Sequence, residues 1–235
     1  MPAPVKIVGG QKSQVPGIEV AADQNWGALF ATLKPYDFVG PNGTPILGHY
    51  KLGMIFSNTA AAGTVPQVSF RWAPAISAYC IPTRVTWLQS WITTAFTTAQ
   101  QIDLQMIIAR AWTASDTGGT AITPITGNSQ KNRSTMGTSL VTSILNGGVA
   151  IVAGTRTLDA NAFAFAVEDT ANTQNTAANA LLSTPKEFIR PLVPGEHPLV
   201  LAPNEGFVLS PFTSLGAAGV VKYVIQIEWA EVVAF

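Results

Sequence analysis

The segment Gly219-Val-Val-Lys-Tyr-Val-Ile-Gln-Ile-Glu-Trp-Ala-Glu231 constrains the fold of this chain more than any other. Val221, Tyr223, Ile225, Ile227 and Trp229 share one parity, while Lys222, Gln226 and Glu228 take the other. An apolar period of two, built from β-branched and aromatic residues, requires a strand with one buried face. Burying each of these five side chains is worth roughly 1.5–3 kcal/mol, so the strand belongs in a core.

The same logic finds further strands upstream. Pro66–Trp72 places Val68, Phe70 and Trp72 on one face. Arg84–Phe96 carries Val85, Trp87 and Trp91 on one parity and Leu88 and Ile92 on the other, which reads as burial on both sides. Ile102, Leu104, Met106 and Ile108 alternate with Asp103 and Gln105. Val149–Leu158, Ala162–Glu168 and Leu199–Leu209 complete the set. Twenty Gly and sixteen Pro punctuate these runs at short intervals. Many short strands separated by such turns predict an all-β fold, an antiparallel sandwich of jelly-roll type.

Two segments carry helical spacing. Asp23–Leu33 sets Trp26, Leu29, Phe30 and Leu33 at i, i+3, i+4 and i+7, with Asp23 or Asn25 as N-cap. Met136–Leu145 reads as a second short helix. Residues 1–22 lack strong periodicity, and residues 1–25 are expected to form an extended docking arm ahead of a single domain over 26–235. Residues 115–135 and 169–184 are long polar loops, and loops of that length tend to carry function; the first is expected to be a second contact surface.

Charge narrows the function. Thirteen Lys or Arg and thirteen Asp or Glu in 235 residues make only 11% charged, with zero formal net charge, against a usual fraction of about a quarter. Nucleic-acid binding needs clustered cations that displace phosphate counterions, and the densest basic stretch is Lys131 with Arg133. Mean hydropathy is mildly positive at +0.27, yet no run approaches the roughly 18–20 apolar residues that span a bilayer. Nor does the start of the chain contain the apolar core of a secretory signal. The reading is a protein made in the cytoplasm, without nucleic-acid, membrane or small-molecule partners. Zero net charge suits a surface largely covered in an assembly.

Few residues could carry chemistry. Ile7-Val-Gly-Gly10 after Lys6 has the look of an activated serine-protease N-terminus, but the companion His and Gly-Asp-Ser-Gly-Gly segments are missing. Asp116-Thr-Gly118 has the form of an aspartic-protease loop, which needs a second carboxylate sharing its proton. It reads instead as a turn, with Asp116 accepting local N–H bonds and Gly118-Gly119 supplying positive φ. His49 and His197 are the only histidines, and no Gly-x-Ser-x-Gly elbow accompanies them. They read as solvent-facing or interface residues. Cys80, the only cysteine, sits among apolar neighbours and reads as a small buried hydrophobe. Asp159, Glu168 and Asp169 supply oxygen atoms of the kind Ca²⁺ prefers, in no recognisable loop. Most of the six Trp occupy strand-like positions that suit core packing better than a glycan-binding face. No catalytic residue, cofactor site or metal site is expected.

The phrases Ile107-Ile-Ala-Arg-Ala-Trp-Thr-Ala-Ser-Asp-Thr-Gly-Gly-Thr-Ala121 and Gly127-Asn-Ser-Gln-Lys-Asn-Arg-Ser-Thr-Met136 resemble segments of structural proteins of tailed-bacteriophage virions. Gly154-Thr-Arg-Thr-Leu-Asp159, Pro203-Asn-Glu-Gly-Phe-Val-Leu209 and Val224–Glu231 share the similarity, which spans roughly residues 65–235. The resemblance implies a non-enzymatic β-sandwich component of the virion. It implies a capsid decoration or cement protein, or alternatively a tail-associated or head-fibre protein that binds host surface receptors. A cement protein bridges the major capsid protein and copies of itself, and local threefold positions would make it a homotrimer.

Overall fold

A computed structural model of the chain describes residues 48–59, 63–97, 101–122, 130–132, 136–147, 151–168, 184–191, 196–216 and 219–232. The arm over 1–25 and the helix expected over Asp23–Leu33 lie outside the described residues, as does nearly all of 169–184. What is described is all-β. Eleven strands run β1 (His49–Thr59), β2 (Val68–Trp72), β3 (Tyr79–Thr94), β4 (Ile102–Arg110), β5 (Thr120–Ile122), β6 (Ser143–Asn146), β7 (Thr157–Leu158), β8 (Ala164–Glu168), β9 (Lys186–Ile189), β10 (Glu205–Ser210) and β11 (Val220–Val232).

They form two antiparallel sheets. One has the order β1-β11-β3-β9; the other runs β5-β6-β2-β10-β4-β7, with β8 also on β4. The alternation in β11 is realised in full. Val221, Tyr223, Ile225, Ile227 and Trp229 are completely buried, and the strand lies between β1 and β3. Its inward face meets that of β1 in register, pairing Tyr50 with Trp229 and Phe56 with Tyr223. Their rings stack at 5.5 and 5.4 Å. From the opposite sheet Phe70 packs edge-on to Trp229 at 5.4 Å and stacks on Phe207 at 4.9 Å. Aromatic contacts of this kind weld the two layers.

The double parity of β3 has a different cause from burial on both faces. Pairing with β11 shifts register between Val220 and Val221, Val224 and Ile225, and Glu228 and Trp229. Each bulge exchanges the side chains that point inward. Cys80, then Val85 and Trp87, then Ser90 and Ile92 are buried in turn, while Leu88 and Trp91 are only half-buried on the outer face.

The helix expected over Met136–Leu145 is absent. Residues 136–142 are irregular, and 143–146 form β6 against β2 and β5. Thr138, Val141 and Thr142 are β-branched, and Ser139 and Ser143 compete for backbone bonds, so the segment favours extended structure. Of the strand expected over Val149–Leu158, the described part from Ile151 contains the two-residue β7 and a bridge from Val152 to Thr117. In Leu199–Leu209 the strand proper starts at Glu205, and Leu201 bridges to Cys80.

Candidate interaction surface

The seven-stranded sheet turns one face to the core. Its other face divides into a covered half and an open half. The covered half begins where β4 ends. Ala111 takes a positive φ of 47°, and the chain crosses back over the sheet. Trp112 packs on Ala109 and Val208 as a small second core, with Ile107 at its margin. Gly206 makes this possible: a Cβ there would meet the Phe70 carbonyl oxygen and come within 2.8 Å of the Trp112 ring.

Above this small core lies a buried ionic network. Asp116 accepts from Ser69 Oγ at 2.9 Å, from Gly154 N–H at 2.8 Å, and from Arg156. Both side chains of the Arg156–Asp116 pair are buried, and the guanidinium lies 4.7 Å from the Trp112 ring centre. Arg71 donates to the carbonyls of Trp112 and Thr113 at 2.9 and 3.1 Å, and to Ser115 Oγ at 2.8 Å. Gly118 and Gly119 do take positive φ, 69° and 67°, as a turn requires. The partners of Asp116 are not local, however. They come from segments 38 to 47 residues away. Asp116 is the keystone that ties the 112–117 and 151–156 segments to the sheet. Part of the expected 115–135 contact loop is thereby internal, and Thr120–Ile122 is paired strand.

The open half displays apolar side chains. Phe165 stands opposite Gln105, and Leu158 opposite Ala109. Phe163 donates its N–H to the Met106 carbonyl at 2.7 Å and shares the parity of Phe165. Phe163 is 51% exposed, Phe165 61% and Leu158 37%. Phe212 packs edge-on to Phe165 at 5.4 Å. Between them Ala164 and Ala166 point to the core, so this edge hides its small residues and shows its large ones. Charge appears at the Leu158 end, where Arg110 binds Glu205 at 2.7 Å and Asp159 at 3.5 Å. Displays of neighbouring large apolar residues mark association sites.

The remaining candidates separate. His49 lines a shallow cleft of about 300 Å³ with Ile81, Pro82, Thr83, Arg84, Pro191, Pro198 and Glu228. Its Nε2 lies 3.2 Å from Thr83 Oγ1 and its Nδ1 2.7 Å from Asn132 Nδ2. Burial lowers the His49 pKa, opposed by nearby Glu228 and reinforced by Lys51. His197 is exposed in the irregular segment between β9 and β10. Cys80 is fully buried, and burial, with Glu231 nearby, pushes its thiol well up. Asp159 binds Arg110, whereas Glu168 binds Lys186 at 3.4 Å; the structure does not gather them, and Asp169 lies outside the described residues. Among those residues no group of three metal-ligating side chains occurs. Trp72, Trp87, Trp112 and Trp229 are fully buried.

One site escaped the sequence reading. Glu231 is completely buried, and among the described residues it forms no ion pair. Its Oε1 accepts from Ser139 Oγ at 2.5 Å and Trp229 Nε1 at 3.1 Å, and Leu140 N–H reaches both oxygens at 3.1 Å. Burial lifts its pKa to about 7 against the pull of these donors. Continuing the inward parity of 221–229 by two residues would have pointed to it.

Comparison with protein-family models, with curated proteins and with solved structures gives no match.

Proposed function

We propose that this chain is a non-enzymatic structural protein of a tailed-bacteriophage virion, a decoration or cement protein that stabilises the head by bridging capsid subunits. The observation that carries the proposal is the exposed Leu158–Phe163–Phe165 stripe on a rigid sheet. Large apolar anchors on a regular scaffold supply binding energy to protein contacts. Two further features support it. The polar groups with the strongest partners, Asp116, Arg156 and Glu231, are locked inside the fold, and the resemblance over 65–235 is to virion components. A receptor-binding role at the tail would draw on exposed aromatics and polar loops; four of the tryptophans are fully buried and not available for it, which leaves Phe163 and Phe165.

The purified chain, incubated with isolated heads and isolated tails, is expected to sediment with the heads and to saturate. Sedimentation with tails alone would move the protein to the receptor-binding reading. Binding to neither would overturn the proposal.

A further inference from the structure

The stripe needs an occupant, and the sequence contains a matching surface. Resting on the reading above, we propose that the stripe receives residues 23–33 of a second copy of this chain. Trp26, Leu29, Phe30 and Leu33 recur at i, i+3, i+4 and i+7, so a helix there would present four large apolar side chains in one row. Eleven residues are too few for a helix that persists alone in water, where about 12–15 are marginal. Such a segment gains order by laying its apolar face on another surface.

The two sequences match in polarity. Residues 24–33 contain no charged side chain, and Asp23 falls at the start of the segment. On the stripe the outward residues of β4 are Gln105 and Ile107. Asp103 on the same face is already buried and accepts from the Phe212 and Thr213 N–H groups, and Arg110 at the margin is bound by Glu205 and Asp159. Docking of residues 24–33 therefore desolvates no further charge, which is where buried interfaces lose affinity. Residues 34–47 separate the segment from the first described residue, Gly48. Fourteen residues reach about 46–50 Å when extended, enough to bridge to a neighbour. Each copy gives one segment and accepts one, a heterologous contact that closes into a ring when the rotation permits, three copies making a trimer.

Sedimentation of the full chain tests this with two variants. Wild type is expected to form a closed oligomer at micromolar concentration. The F163D/F165D and L29D/F30D variants are each expected to be monomeric, with self-association weakened roughly 100-fold or more. Phe163 and Phe165 are exposed, so the F163D/F165D variant is expected to keep the wild-type circular-dichroism spectrum and a cooperative unfolding transition while losing the association. Mixing the two variants restores one interface, since the first retains its segment and the second its stripe, and a 1:1 dimer appears. A F30C/F163C variant is expected to form intermolecular disulfides on oxidation, with buried Cys80 not competing. A monomeric wild type, variants that keep the wild-type mass, or a mixture that stays monomeric would overturn the proposal. The head-binding assay separates the two readings. A monomer that still binds heads sinks only the second-copy contact, whereas an oligomer that binds no particle sinks only the virion assignment.

Discussion

Replacing Arg156 by methionine is expected to destabilise the protein by about 3–5 kcal/mol, the cost of leaving one member of a buried pair uncompensated. The Asp116 side chain is fully buried. Without Arg156 its charge keeps only Ser69 Oγ and the Gly154 N–H. Trp112 also loses the guanidinium above its ring. The 151–156 segment would then be held by the Gly154–Asp116 bond, the buried Ile151 side chain, and the Thr117–Val152 and Thr113–Thr155 backbone bonds. The discriminating variant is D116N/R156M. It removes both charges and keeps the shape, so it is expected to recover at least half the loss, since a neutral pair avoids the desolvation cost. Urea denaturation of the three proteins reads this directly. A loss below about 1 kcal/mol for R156M, the size of a surface ion pair, would show that the pair is not buried.

The second large effect depends on pH. Glu231 has an ordinary pKa of 4.5 when unfolded and about 7 when folded. The folded protein thus holds a proton that the unfolded chain releases between these values. Stability from this group is fully present below pH 4.5 and is lost as pH rises through about 7. The difference corresponds to about 3 kcal/mol. Tyr50 and Cys80 face the same carboxyl, and both are pushed up by burial and by Glu231 itself, so they stay neutral throughout this window. A glutamine at 231 preserves the acceptor for Ser139, Leu140 and Trp229 and cannot ionise. Urea midpoints at pH 5 and pH 8 are expected to differ much less for E231Q than for wild type, with E231Q the more stable at pH 8. Parallel pH profiles for the two proteins would refute a buried, proton-holding Glu231.

These two networks also show where sequence reading stops. The five inward residues of β11 are read straight from their alternation, because a strand buried on one face imposes period two on its composition. β1 carries the same signal in Tyr50, Leu52, Met54 and Phe56, yet it is not among the strands the sequence predicts. There the exposed Ile55 turns Met54–Phe56 into a continuous apolar run. The bulges of β3 hide one buried face behind two parities. In β8 the usual expectation of large residues inward is reversed. Ala164 and Ala166 sit opposite Met106 and Leu104, which already fill the core, and the phenylalanines turn outward. Asp116 looked like a local turn because nothing in its neighbours announces Ser69 or Arg156. Only the crossing of the chain over the outer face of the sheet brings them together.

The measurement closest to the central claim is electron microscopy of intact virions carrying a label on this protein. The account predicts density on the head, in clustered copies over the junctions between capsid subunits. Label confined to the tail, or absent from the particle, would contradict it.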